Sequence, residues 1–325
     1  MRAVVTGATG FVGSHLVDQL LEQGFQVRVI VRGSSNLKWL PREKIELAEG
    51  SLQDPAFMFK AVQDCEYVFH VAGTLVAGSM EEFRDVNVKP TRLLLEACEK
   101  TPSIRRFVLV SSQGASGPSK DGIPLTEEST PNPVSDYGRT KLEAEQLTMT
   151  FKDRVPVTAL RPSAVYGPRD ENFLKLFRNV KRGFMPRFGR EERYTNLVHA
   201  VDLARGIILA AQSEKTKGEM YFISNETSYA NSQIIEGMAQ AMGTTVRRFM
   251  LPDGVFTLAK LYARIQKKLT GKTGLLDEQR IATVEERYWT ANVSKLKRDL
   301  GWVPPTSLTD GLNETARWYK NNGLL

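Results

Sequence analysis

Three features of the sequence predict an α/β fold, a doubly wound parallel sheet with a smaller, mainly helical C-terminal domain. Short β-branched runs alternate with amphipathic stretches, the strand candidates are continuously apolar, and a glycine-spaced turn joins the first strand to the first helix. The alternation gives a βαβ rhythm. Continuous apolar strands need cover on both faces, which parallel sheets have. The crossovers then take the right-handed sense.

Taken in order, Arg2 to Thr6 is the first strand candidate, Ser14 to Gln23 the first amphipathic helix and Gln26 to Val31 the second strand. Ile45 to Ala48, Tyr67 to Val71, Arg106 to Val110 and Val157 to Leu160 continue the strand series, with helix-length segments such as Met80 to Lys100 between them. Beyond Leu160 the rhythm loosens, punctuated by Pro162, Gly167, Pro168, Gly183, Pro186 and Gly189, before Val201 to Gln212 returns as a helix and Met220 to Ile223 as a strand. Ser232 to Met242, Val255 to Leu269 and Leu308 to Asn321 have helical spacing, with Ser307 to Asp310 or Asp253 as nearby caps. Met238 and Met242 fall on one helix face and read as core packing. There is no internal repeat and no low-complexity tract. Residues 1–165 with 195–226 are therefore expected to form the sheet domain, and 166–194 with 227–325 the smaller one.

A chain of 325 residues, 41% hydrophobic and 25% charged, is an ordinary folded protein and excludes a disordered chain, a fibre or a stapled mini-domain. Cys65 and Cys98 allow at most one disulfide, which fits a reducing compartment. The N-terminus lacks a signal-peptide pattern, and no run reaches the ~18 apolar residues of a spanning helix. A cytoplasmic protein with no membrane partner is expected. The formal charge of +7 comes from 44 basic against 37 acidic residues. A concentration of it holds Arg178, Lys181, Arg182, Arg187, Arg190 and Arg193 against only Glu191 and Glu192. That stretch shows no interleaved aromatic stacking pattern and no nucleic-acid module, so it reads as a solvated basic loop, with a substrate-anion site as the alternative and no nucleic-acid partner. His15, His70 and His199 show no ligand spacing, so no metal is expected, and His199 reads as structural.

The turn Thr6-Gly7-Ala8-Thr9-Gly10-Phe11-Val12-Gly13 has the spacing G-x-x-G-x-x-G between strand and helix. A dinucleotide pyrophosphate needs a tight turn free of Cβ atoms and a helix N-terminus whose free N–H groups favour an anion. Strand, turn and helix occur here in that order, which makes the sheet a Rossmann sheet and the smaller part its substrate domain. Where an NAD site usually offers an acid, the second strand ends in Arg32, followed by Ser34 and Ser35. A guanidinium there suits a 2′-phosphate, so NADP is the expected cofactor, with NAD possible.

Tyr137 and Lys141 lie four residues apart, on one face of a helix beginning near Ser135 or Asp136. A free phenol has a pKa of ~10, and a neighbouring cation shifts it toward working pH. Lys141, with an oxidised nicotinamide, is therefore expected to lower the pKa of Tyr137, which exchanges a proton with a substrate oxygen. Ser111 and Ser112 follow an apolar strand at its carboxyl end, where a hydroxyl can hydrogen-bond a carbonyl oxygen.

Together these segments resemble the extended short-chain dehydrogenase/reductases, the NAD-dependent epimerase/dehydratase family. The resemblance rests on Thr6 to Gly13, Phe69-His70-Val71-Ala72-Gly73, Asp85-Val86-Asn87-Val88, Ser111-Ser112, Tyr137 with Lys141, Arg161 to Pro168, and Leu197 to Leu203. It implies a catalytic Ser112, Tyr137 and Lys141, the serine being chosen by counting back from Gly117. It also implies nicotinamide against Pro162, Ser163 and Val165, and adenine near Ser51 and Leu52, although the family usually has Asp at the Ser51 position. Motif and resemblance together put the cofactor against Gly7, Thr9, Gly10, Phe11, Val12, Gly13, Arg32, Ser51, Leu52, Ala72, Gly73, Tyr137, Lys141, Pro162, Ser163 and Val165. Asn87 is implied as a support for the site, and a homodimer as pairing through Met80 to Lys100 and Asp136 to Lys152.

Chemistry in such a family begins with hydride transfer. Its sugar dehydratases carry acids after the catalytic hydroxyl, where this chain has Gln113 and Gly114, so dehydration is disfavoured. Its nucleotide-sugar enzymes commonly have arginine seven residues before the aspartate matching Asp202, which here is Thr195. Arg193, on the same face if the segment is a strand, could substitute. The ending at Arg32 and the Ser-Ser-Gln-Gly-Ala stretch look more like the dihydroflavonol reductase and hydroxysteroid dehydrogenase branch. The expected function is an NAD(P)-dependent oxidoreductase moving a hydride to or from a small carbonyl or alcohol. The alternatives are a nucleotide-sugar epimerase and a non-catalytic dinucleotide sensor.

Overall fold

The computed structural model describes residues 1–188, 191–252, 254–270 and 278–325. Strand β1 (Arg2–Thr6) leads through the glycine turn into helix α1 (Phe11–Glu22), and β2 (Gln26–Val31) returns parallel to β1. After β3 (Ile45–Glu49), Asp54 caps α2 (Pro55–Val62) by accepting from the amides of Ala56 and Phe57. Proline at the first helical position gives up only an amide that no helix would pair. β4 (Tyr67–His70) then enters on the other side of β1.

The segment Met80 to Lys100 is two helices rather than one, α3 (Met80–Asn87) and α4 (Lys89–Glu99), meeting at Val88. Pro90, in the first turn of α4, supplies the break, because it lacks an amide and clashes with a preceding turn. β5 (Arg106–Val110), α5 (Asp136–Met149) and β6 (Val157–Pro162) complete the next crossover.

The remaining elements are β7 (Ala164–Tyr166), α6 (Glu171–Lys181), β8 (Phe184–Phe188), β9 (Tyr194–His199), α7 (Ala200–Gln212) and β10 (Glu219–Ile223). They are followed by β11 (Ser228–Ala230), α8 (Asn231–Met242), β12 (Arg247–Leu251), α9 (Gly254–Thr270), α10 (Glu278–Glu285), β13 (Tyr288–Trp289), α11 (Ser294–Leu300) and α12 (Leu308–Asn321).

The main sheet has seven parallel strands in the order β10-β6-β5-β4-β1-β2-β3. Alternation along each strand sends neighbouring residues to opposite faces. Val5, Val29 and Phe69 therefore pack with Leu16 and Leu20 of α1 and Ile207 of α7, whereas Val4, Val68 and Leu109 pack with Met58 of α2, Leu94 of α4 and Ala144 of α5. Both faces are dry, as continuous apolar strands require. The strand order reverses between β1 and β4, the switch point where such sheets leave a crevice beyond their carboxyl ends.

The smaller part is built on α6, α8 and α12, whose Phe177, Met238 and Ala316 share one core with Tyr166 and Leu197. Beside the main sheet lie two short sheets that periodicity did not show: β11-β9-β13 with β7 beside β9, and the parallel pair β8–β12. The basic stretch is correspondingly not a loop, since Arg178 and Lys181 lie on α6 and Arg187 on β8, while Arg190 lies outside the described residues. Asp253, named above as a cap, also lies outside them, whereas Ser307 caps α12 as expected. Among the described residues no helix is long and apolar enough to cross a membrane.

Gly311 of α12 faces the Tyr166 ring so closely that a Cβ would stand 2.2 Å from its hydroxyl. Gly311→Ala is expected to destabilise the protein by about 1–3 kcal/mol in urea unfolding. Part of that loss is expected to return in the double variant with Tyr166→Phe; strict additivity would show that the two residues do not press on each other.

Candidate active site

At the switch point the backbones of β1, α1 and β4 approach closely enough to exclude side chains. A Cβ on Gly13 would stand 2.1 Å from the Gly7 carbonyl, and one on Gly7, whose φ is +71°, 2.6 Å from the Ala72 amide. Gly10 caps α1 without any side-chain hydrogen bond, so amides of the first helical turn remain available to an anion. Thr9, Phe11 and Val12 border that turn and stay partly exposed.

Buried His70 stitches the crevice floor. The Thr91 hydroxyl donates to the Asn87 carbonyl (2.9 Å) and so accepts from His70 Nε2 (3.0 Å). Nδ1 is then left to accept from the Thr6 hydroxyl (2.7 Å), whose oxygen also takes the Ala72 amide (3.2 Å). Burial foremost, with Lys141 nearby, pushes His70 down to about 3, so the ring is neutral. Its role is positional, and only its place in the Phe69 to Gly73 motif hinted at it.

Arg32 follows β2 with an exposed side chain, its amide donating to Ser35 Oγ (3.0 Å). A Cβ on Gly33 would stand 2.8 Å from a Glu49 carboxylate oxygen, so an acid also borders this end of the crevice. Ser51 spends its hydroxyl oxygen on the Gln53 amide (3.1 Å), within its own turn, while Leu52 packs on the α2 side of the core.

Ser135 caps α5 by accepting from Gly138 N (3.2 Å), which sets Tyr137 in the first turn and Lys141 one turn deeper. A Cβ on Gly138 would stand 2.3 Å from the Gly114 carbonyl, so this glycine lets α5 touch the turn that carries Ser112. Tyr137 and Ser112 meet at this turn, where a Cβ on Gly114 would stand 3.2 Å from Ser112 Oγ and 3.5 Å from the Tyr137 ring, and Ser112 Oγ accepts from Gly114 N (3.0 Å). Lys141, 3% exposed, donates from Nζ to the Val110 carbonyl at the end of β5 (2.8 Å). Gly73 lies alongside, since a Cβ there would stand 3.8 Å from the same Nζ. Asn87 clamps the neighbouring loop, accepting from Thr74 N (2.8 Å) and donating to Thr140 Oγ1 (3.0 Å).

The chain by itself sets the opposite direction from the one expected with a nicotinamide present. Burial dominates Tyr137 and pushes its phenol above the ordinary 10, with neighbouring Ser112 opposing the rise and Glu145 adding to it. The ammonium points instead at a backbone carbonyl, and burial lowers Lys141 to about 8 while Glu145 opposes that fall.

Glu145 belongs to a feature that spacing did not show. Its carboxylate takes Arg161 Nε (3.0 and 3.1 Å) and a terminal guanidinium nitrogen (2.7 Å), with both side chains 2% exposed or less. Arg161 immediately precedes Pro162 and Ser163, so the pair fixes α5 against the segment on which the nicotinamide is expected. The Ser163 hydroxyl and that of Ser111, at the carboxyl ends of adjacent strands, are buried without a hydrogen-bond partner. Val165 of β7 pairs with Val198. The crowded glycines, open helix N-terminus and two waiting hydroxyls fit a dinucleotide lying across these strand ends.

Two further expectations are adjusted. β9 begins at Tyr194, so Arg193 precedes the strand, and its guanidinium lies over the Phe256 ring of α9 (5.4 Å). His199 is buried edge-on against Tyr166 (ring centroids 5.4 Å), as a structural residue. Sequence also gave no sign that Gln279 of α10 would accept from the Asp136 amide (2.6 Å), beside Tyr137.

The family model for the NAD dependent epimerase/dehydratase family matches residues 3–224. A putative dihydroflavonol 4-reductase of Synechocystis sp. is 31% identical over 99% of this chain and 95% of its own length. A ceramide reductase of Caulobacter vibrioides is 27% identical over 99% of this chain and 95% of its own. Among solved structures, the UDP-glucose 4-epimerase of Thermotoga maritima with UDP-glucose superposes with a TM-score of 0.81 at 25% identity, covering 99% of each chain.

The lowered lysine is directly observable. In side-chain ¹⁵N spectra of labelled protein, one lysine signal is expected to titrate near pH 8, and to vanish in Lys141→Met. A value in the ordinary 10.5 range would contradict the buried placement. Since the folded value lies below the unfolded one, this group opposes folding most below about pH 8 and the opposition fades as pH rises from there toward 10.5.

Proposed function

The chain belongs to the NAD dependent epimerase/dehydratase family, and from that membership and the cleft geometry we propose that it oxidises an alcohol or reduces a ketone with Ser112, Tyr137 and Lys141 as its working groups. The observation that carries this reading is Tyr137 and Ser112 brought together at the Gly114 turn, with buried Lys141 one turn below, set beside the crowded glycine turn. A bound dinucleotide supplies the two-electron chemistry. Tyr137 holds the proton that passes to or from the substrate oxygen, and Ser112 orients that oxygen through its hydroxyl. Lys141 holds positive charge against this end of the crevice and offers its remaining donors to a cofactor ribose.

The cofactor would rest on Gly7, Gly10 and Gly13, with its far end near Arg32 and its reactive end toward Pro162 and Ser163. NADP is the preferred form because Arg32 is exposed and free of an acid on its own strand end, although Glu49 lies close by. Residues 1–165 with 195–226 would serve the cofactor, and 166–194 with 227–325 the substrate. The same reading includes a homodimer joined through α3, α4 and α5, working in the cytoplasm.

A carbonyl or alcohol without a sugar nucleotide is preferred over epimerisation. Thr195 offers no cation, its hydroxyl donating to the Asn196 carbonyl (3.2 Å), and Arg193 is turned to Phe256. The relatives named as reductases of dihydroflavonol and ceramide lean the same way. A panel of ketones with NADPH, run beside UDP-hexoses with NAD, separates the two chemistries. Turnover of a UDP-hexose alone would overturn the preference.

Tyr137→Phe is expected to lower turnover by about 10²- to 10⁴-fold with cofactor affinity retained. Full turnover in that variant would remove the phenol from the mechanism. Arg32→Ala is expected to weaken NADP(H) binding by roughly ten- to a hundredfold and leave NAD(H) binding unchanged, as loss of a charge-assisted contact predicts. Equal effects on both cofactors would take Arg32 away from the 2′-phosphate.

A further inference from the structure

Helix α9 is apolar on two opposite sides. Phe256, Ala259 and Ala263 pack with Ile281 of α10, Phe256 being only 4% exposed. Leu258, Leu261 and Tyr262, spaced as one helical stripe, point away from that core and are 68%, 53% and 57% exposed. A helix needs only one apolar stripe to join a core, and the second stays exposed among the described residues.

The neighbouring ribbon repeats the pattern. In the β8–β12 pair, Phe184, Phe249 and Met250 are all exposed, and Phe184 pairs in register with Arg247. From Arg247 to Thr270 the sequence has six basic residues, Arg247, Arg248, Lys260, Arg264, Lys267 and Lys268, against the single acid Asp253, and two of them are ion-paired across to other elements, Arg248 with Glu236 and Lys260 with Glu285. β8 itself belongs to the basic stretch that the proposed chemistry left unused, with exposed Lys181 and Arg182 just before it. Large exposed apolar side chains set among cations are what a bilayer interface with anionic headgroups takes up. The apolar groups enter the acyl boundary while the cations stay at headgroup level.

We propose that the outer stripe of α9, together with the β8–β12 ribbon, docks this protein peripherally on an anionic lipid surface. The expectation of no membrane partner rested on the lack of a spanning segment, and a helix lying in the interface needs none. α9 packs on α10, whose Gln279 accepts from the Asp136 amide next to Tyr137, so the docked face and the catalytic helix are linked through one pair of helices. The proposal does not depend on the reaction assigned above.

The test is sedimentation of the full chain with phosphatidylcholine vesicles, alone or mixed with phosphatidylglycerol. Binding is expected with the anionic vesicles and is expected to fall in about 0.5 M salt, where charge attraction is screened. The variant Leu258→Gln, Leu261→Gln, Tyr262→Gln is expected to bind on the order of tenfold or more weakly, with its thermal midpoint unchanged, because apolar area drives insertion. Phe249→Gln with Met250→Gln is a second variant expected to weaken binding. Wild-type protein that stays in the supernatant with anionic vesicles, or a triple variant that pellets as well as wild type, overturns the proposal. So does a wild-type dimer in sedimentation velocity that the triple variant abolishes, since the stripe would then belong to a second copy of the chain.

Discussion

Everything at the crevice depends on how deeply α5 is anchored in the sheet, and the anchor is the ion pair between Glu145 and Arg161. Tyr137, Lys141 and Glu145 recur every four residues, so they form one stripe along the helix. Each meets a different piece of the sheet's carboxyl edge: Glu145 is held by Arg161 of β6, Lys141 by the carbonyl ending β5, and Tyr137 lies against the Gly114 turn just beyond it. Removing two charges from water is costly, and a buried pair is often no more stabilising than a well-packed apolar one. Its value here is geometric. A bidentate pair tolerates little sliding, so the depth and rotation of α5 are fixed one turn below the lysine and two below the phenol.

The glycines solve the complementary problem of bringing backbones together. Gly13 lets α1 sit against its own turn, and Gly138 lets α5 sit on the Ser112 turn, each at a distance that a methyl group would forbid. Anchoring without this approach would leave phenol and serine too far apart to meet one substrate oxygen. Approach without anchoring would leave them free to slide.

What could be read from the sequence follows from the range of the forces involved. β1, β2 and β5 were predicted to the residue because continuous apolar runs bounded by turns are local signals, and α12 because Ser307 marks its start. The glycine turn and the Tyr137–Lys141 spacing were legible for the same reason. The split at Val88 was readable from Pro90 but was masked by the long amphipathic pattern on either side. β7, β11 and β13 are two or three residues long, too short for alternation to register. Arg161 and Glu145 lie on a strand and a helix whose packing is tertiary, and Gln279 meets Asp136 across 143 residues. No spacing rule reaches such pairs.

Direction of charge is the subtlest of these tertiary effects. Spacing alone said that a lysine near a tyrosine should lower its pKa. Yet the packing that unites the two groups also removes the water that would stabilise either charge. Burial therefore drives the phenol up and the amine down, and Glu145 pushes both upward. The chain on its own thus holds the phenol in its protonated form. A proton donor in that state is matched to a carbonyl oxygen gaining negative charge, and it becomes a base only when positive charge is brought beside it. The residues set the position, and the balance between donor and base is left to whatever charge enters the crevice.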